Sequence, residues 1–133
     1  MFDSTIGLLE RSLDLRMKAH EAHVSNVANA NVPNYKALRA DFEGKMKEAL
    51  DRADSSSERT RIAREHVIEE AVRNVAPDIH EDPLLPMNGM GNTVDMEREQ
   101  TEIAKNTIGY QTAIQLINKK FAMQKYVVSE GAR

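Results

Sequence analysis

Ten positions near the C-terminal end, Met96, Gln100, Ile103, Thr107, Tyr110, Ile114, Ile117, Phe121, Gln124 and Val128, follow one another in alternating steps of four and three without a slip. This is the spacing of a heptad seam, and a helix carrying it needs a partner of similar length along one side. Glu97 and Glu99 sit where the helix dipole favours negative charge, Lys119, Lys120 and Lys125 gather towards the other end, and Gly131 follows as a breaker. Asn92 or Thr93 is the predicted cap. A second stripe, Ala113, Leu116, Met123 and Val127, lies beside the first, so one neighbouring helix does not cover both. The pattern therefore predicts contacts with other subunits; the alternative is that both stripes face the core of a closed bundle, for which the sequence offers no third and fourth long helix. Gln100, Thr107 and Gln124 interrupt the seam, either to set register or because the seam is open to solvent there.

The predicted partner lies at the other end. Apolar positions recur at Phe2, Ile6, Leu9, Leu13, Met17, His20, Val24 and Val27, in threes and fours. They predict a helix from about Asp3 to Ala30, capped by Asp3 or Ser4 with Phe2 stapled against Ile6, and roughly 40 Å long. It runs out into Ser25-Asn26-Val27-Ala28-Asn29-Ala30-Asn31-Val32-Pro33-Asn34-Tyr35-Lys36-Ala37. Asn26 and Asn29 are three apart and share a face, offering amide donors and acceptors sideways. Pro33 forces Val32 into an extended conformation and stops the helix. With Pro33 second and Asn34 third, a type II turn is expected, which places Asn34 at positive φ. Tyr35 leaves the turn with a ring to pack and a hydroxyl to bond.

Ser25-Asn26-Val27-Ala28-Asn29, followed by Asn31-x-Pro33-x-Tyr35-Lys36, resembles the N-terminal motif of the bacterial flagellar axial proteins, the rod, hook and hook-junction subunits. Where that family usually has Thr-Pro-Gly-Tyr, this chain has Val32-Pro33-Asn34-Tyr35. The C-terminal stretch is similar to the same family's C-terminal helix. It carries Gly91-Asn92-Thr93-Val94-Asp95-Met96-Glu97-Arg98-Glu99, then Ala104-x-Asn106, Tyr110-Gln111 and Lys119-Lys120-Phe121. Both ends in the right order make the match more specific than either alone.

Between the ends the reading changes. Asp41 to Met46 leads into a modest helical pattern to Leu50, broken at Asp54-Ser55-Ser56-Ser57; Ile62 to Val75 reads as a short helix or ribbon. Pro77, Pro83, Pro86, Gly89 and Gly91 argue against regular structure after it. The expected fold is all-α. Long N- and C-terminal helices pair antiparallel as a coiled-coil-like core, joined by an extended, weakly ordered middle segment that gains shape between subunits. The divisions are 1–37, 38–91 and 92–133.

Of the 133 residues none is Cys or Trp, which removes disulfides and thiolate metal sites. A net charge of -3 with both signs mixed argues against nucleic acid as a partner. The N-terminus has no basic region before an apolar run, so no cleaved signal peptide is expected, and no stretch approaches a membrane span. His20 and His23 lie three apart beside Glu21 without a further ligand at metal spacing, so His20 reads as a packed residue. With no phosphate loop, nucleophile elbow or Cys nucleophile, neither enzyme activity, a cofactor nor a small-molecule substrate is expected.

The resemblance implies a structural subunit of the flagellar rod in the periplasm, exported through the flagellar type III gate. Its implied partners are copies of itself, other rod proteins, and export-gate and membrane-ring-junction components. The assembly residues expected on this reading are Asn26, Asn29, Pro33, Asn34, Tyr35, Ile103, Tyr110, Ile114, Ile117 and Phe121. Phe42-x-x-x-Met46 resembles the element that rod-type substrates present to the export gate, or Phe42 simply packs locally. A soluble coiled-coil adaptor or export chaperone, and a small helical metal-binding protein, are the alternatives from other classes.

Overall fold

The computed structural model describes residues 4–55 and 61–130. In chain order the elements are α1 (Ser4–Ala28), β1 (Leu38–Asp41), α2 (Glu43–Asp54), α3 (Arg61–Arg73), β2 (Asp78–Glu81) and α4 (Met96–Glu130). The expected all-α architecture with paired terminal helices is present, with one two-stranded ribbon added. The expected cap at Asp3, the Phe2 staple, Ser56 and Ser57 of the serine break and the Gly131 breaker lie outside the described residues.

The middle differs from the extended connection expected of it. Two helices form there, and β1 and β2 pair antiparallel with Leu38 opposite Glu81 and Asp41 opposite Asp78. The reason is a short apolar row. Met46 and Ala49 of α2, spaced by three, pack with Ala40 against a buried cluster of Leu15, Ala19, Phe42 and Val75. The middle thus finds its cover on α1, within the same chain. Arg11 of α1 reinforces the contact by donating from Nε and one terminal nitrogen to the Val75 carbonyl just past α3, at 3.0 and 2.6 Å. The longest described stretch without helix or strand is 82–95, where prolines and glycines cluster.

Lys45 ties α2 to the start of β2, with its Nζ 2.9 Å from Asp78 Oδ2. That hydrogen bond and charge, with His80 acting in the same direction, hold the Asp78 carboxyl below its ordinary value. A lowered carboxyl stabilises the fold at neutral pH and loses that contribution as pH falls through its folded value. The pair is open to water, so the contribution is small.

Candidate assembly site

At one end of the helix pair, polar side chains close the turn between α1 and β1. Asn26 is 0% exposed. Its amide donates to the Leu38 carbonyl at 2.8 Å and accepts from the Leu38 N–H at 2.7 Å, standing in for a neighbouring strand at the head of β1. The Tyr35 hydroxyl donates to Asn26 Oδ1 and lies 3.3 Å from Ser25 Oγ. Asn29 donates to the Ser25 carbonyl one turn back at 2.8 Å. The expected turn forms: the Tyr35 N–H reaches the Val32 carbonyl, and Asn34 has φ of 59°. Asn31, Val32, Pro33 and Asn34 are exposed at its tip.

A second layer holds this turn from the far side. Asn92, 1% exposed, donates from Nδ2 to the carbonyls of Asn29, Ala30 and Val32 at 2.9, 3.1 and 2.7 Å. Those carbonyls belong to the turn just past α1, where the Asn29 and Val32 carbonyls also accept the N–H groups of Val32 and Tyr35. Thr93 accepts the Ala37 N–H at 2.8 Å and donates its own N–H to the Tyr35 carbonyl. Asn92 and Thr93 are therefore not the α4 cap that was expected. Asp95 is: its Oδ1 accepts from the N–H groups of Glu97 and Arg98 at 3.0 and 3.2 Å. A carboxylate directly before Met96 is the better placed cap, and the pattern signalled it.

Two polar contacts fix how α4 runs against α1. The Asn106 amide donates to the Arg16 carbonyl at 2.8 Å, and the His23 Nδ1–H donates to the Glu99 carboxylate at 2.7 Å. From Arg16 to His23 is seven residues, and from Asn106 to Glu99 is seven in the opposite direction, so the helices are antiparallel and matched over one heptad. The buried residues of α4 are Glu99, Asn106 and Ala113. Ile103, Tyr110 and Ile117 flank them half-buried, as the predicted seam requires, but its other row does not face α1: Gln100, Thr107, Ile114 and Phe121 are exposed. The seam is rotated by one residue because small or hydrogen-bonding groups permit closer approach there than isoleucine.

Gly109 belongs to the same contact. A Cβ at this position would lie 2.4 Å from Arg16 Cζ. The Arg16 guanidinium passes through that space to sit 5.4 Å from the Phe42 ring centroid and to donate to Glu43 at 3.1 Å. Gly109→Ala improves helix propensity by about 1 kcal/mol but overpacks at a typical cost of about 1–3 kcal/mol. We expect a net destabilisation in urea unfolding that Arg16→Ala in the same chain cancels; persistence of the loss in the double variant would contradict it.

The rows on each helix follow one another in sequence. Leu15, Ala19, Ala22 and Asn26 form one row of α1, and the first two belong to the cluster with Phe42 and Val75. One residue on, Arg16 and His23 meet α4. One residue further, Met17 and Val24 are 47% and 46% exposed. At 100° per residue this last row faces away from α2, α3 and the ribbon. On α4 the row after Asn106 and Ala113 is Thr107 and Ile114, and because the helices are antiparallel it lies on the same side as Met17 and Val24. The pair thus has one face closed by its own chain and one apolar face open. Beyond the match of Arg16 with Asn106, Ser4 falls opposite residue 118 or so, leaving the rest of α4 past the first described residue of α1. Phe121, Met123, Tyr126, Val127 and Val128 are exposed there, the last at 73%. His20, expected packed on the apolar row, is half-buried, whereas Phe42 is buried and Met46 packs against it.

Among the described residues no three His, Cys, Asp or Glu are grouped to hold a metal ion, and no helix is long and apolar enough to cross a membrane. Two long antiparallel helices, locked at one end by a buried amide network and carrying an unfilled apolar face, define a helical structural protein. The chain is 32% identical over 132 residues to the flagellar basal body rod protein FlgB of Bacillus subtilis, covering 98% of each chain. It is 35% identical over 122 residues to FlgB of Cereibacter sphaeroides, covering 91% of each, and 32% identical over 123 residues to FlgB of Aeromonas hydrophila, covering 91% and 89%. No protein-family model matches. The chain belongs to the FlgB family of flagellar basal body rod proteins.

Proposed function

We propose that this chain is a subunit of the proximal rod, which polymerises with copies of itself and with other rod proteins into the shaft that transmits torque. The observation that carries the reading is the open apolar face formed by Met17 and Val24 of α1 with Ile114 of α4, continued by the exposed end of α4. An exposed apolar surface of this kind marks an interaction site, and repeated head-to-side contacts between identical molecules give open helical assemblies. Within it, Ile103, Tyr110, Ile114, Ile117 and Phe121 belong to the inter-subunit contact, while Asn26, Asn29, Pro33, Asn34 and Tyr35 set the angle at which the exposed turn meets a neighbour. The chain works in the periplasm and is exported through the flagellar export gate. Phe42 is buried in the folded chain and Met46 is half-buried against it, so the gate reads them before folding. Export-gate and membrane-ring-junction proteins are its further partners.

The test is crosslinking in purified basal bodies with photoreactive residues in place of Phe121 and, at the exposed turn, Val32. Crosslinks to copies of the chain or to other rod proteins are expected. A chain found only as a discrete soluble oligomer, with nothing crosslinked in the basal body, would favour the adaptor or chaperone instead.

A further inference from the structure

We propose that Asn88 is a self-activated deamidation site, at which the fold itself promotes loss of the side-chain amide and thereby loosens the loop that holds Asn92. Asn88-Gly89 is the one Asn-Gly pair in the sequence. Deamidation begins when the backbone nitrogen of the following residue attacks the asparagine Cγ, and a side chain on that residue obstructs the approach. Gly89 has none, it is exposed, and nothing lies within 4 Å of where a Cβ would be. Asn26, Asn92 and Asn106, by contrast, are buried and precede Val27, Thr93 and Thr107, whose branched side chains crowd the attack.

The distinguishing feature is at the oxygen. Asn88 Oδ1 accepts from two backbone N–H groups, Met90 at 2.9 Å and Asn92 at 3.1 Å. When Gly89 N adds to Cγ, negative charge develops on this oxygen, so the two N–H groups are placed as an oxyanion hole placed around a side-chain carbonyl. The Gly89 N–H makes no hydrogen bond among the described residues, so its proton is open to removal by hydroxide. The new bond is Gly89 N to Asn88 Cγ, and the bond that breaks is Cγ to Nδ2. The nitrogen leaves as ammonia, carrying a proton equivalent to the one lost from Gly89. Water then opens the cyclic imide on either side. Opening at Cγ gives aspartate, while opening at the main-chain carbonyl gives isoaspartate.

The two products differ in what they do to the loop. Aspartate keeps an acceptor where Met90 and Asn92 N–H need one. Isoaspartate routes the main chain through the former side chain, which lengthens it between residues 88 and 89. Asn88 also donates its N–H to the Asn92 carbonyl at 2.8 Å and accepts the Gly91 N–H at 2.9 Å, so the loop closes on both main-chain groups of this residue. Isoaspartate mismatches these bonds and frees Asn92 from its place against the carbonyls of Asn29, Ala30 and Val32.

The full chain, incubated at mildly alkaline pH and digested for mass mapping, reads the site directly. Deamidation at Asn88 is expected to be the fastest in the chain, and roughly tenfold faster folded than in guanidinium chloride, a conservative fraction of what a pair of oxyanion donors supplies in enzymes. Gly89→Ala, at an open position, should leave melting unchanged and slow the reaction several-fold. In the aged sample, amide hydrogen exchange at 29–37 should rise in the isoaspartate fraction and not in Asn88→Asp. A folded chain that deamidates no faster than the unfolded one, or that loses another amide first, overturns the proposal.

Discussion

Asn92→Ala is expected to lower folding stability by about 2–4 kcal/mol, seen as an earlier urea midpoint with an unchanged slope. The side chain is buried and supplies the donor for three carbonyls at the end of α1, while its own Oδ1 accepts the Val94 N–H at 2.7 Å. Alanine leaves the Ala30 carbonyl and the Val94 N–H without their partner and takes one bond each from the Asn29 and Val32 carbonyls, which keep the Val32 and Tyr35 N–H groups; a buried group left unpaired typically costs about 1–3 kcal/mol before relaxation. Asn92→Asp separates donation from acceptance: it keeps the acceptor for Val94 but turns a carboxylate towards three carbonyls, so it should be at least as damaging as alanine. An Asn92→Asp chain as stable as the parent would show that the three contacts contribute nothing.

The second large effect is on assembly. Met17→Glu combined with Ile114→Glu should leave urea unfolding of the isolated chain within about 0.5 kcal/mol of the parent, because both side chains are substantially exposed. The same pair should abolish swimming on a motility plate when it replaces the only copy in the cell, since two carboxylates would then enter an apolar contact between subunits. Ala19→Glu gives the opposite order of effects. It buries a charge beside Leu15 and Phe42, so it should unfold the chain before assembly is reached. Full motility in the Met17/Ile114 variant would remove the open face from the interface.

The paired helices and the asparagine-rich turn could be read from the residues because each depends on local rules. Periodicity places a helix, and Pro33 followed by Asn34, a residue that tolerates positive φ, suits the turn that forms. What the residues did not disclose is where the helices touch. A pattern weighted by apolar size selects Ile114 and Phe121, yet the contact runs through Ala113, Asn106 and Glu99. These are favoured by closeness and by partners such as His23, neither of which is visible along one helix. The helices of the middle are hard to read from the residues for a related reason. Its apolar positions are few and small, and whether Met46, Ala49 and Val75 suffice depends on α1 lying beside them. The role of Asn92 was hidden by its nearness to a helix start, although Asp95 occupied the capping position already.

The Arg16–Asn106 and His23–Glu99 contacts bear on mechanics as well as pairing. They lie about 10 Å apart along the axis, and both bridge the same two helices. A pull along the helix axis strains them in shear, together, so neither yields until the other does. A pull that peels α4 outward from its C-terminal end instead loads Asn106 before Glu99, so the two yield one after the other. The same pair of contacts is thus stiffer to a load along the helices than to one that separates them.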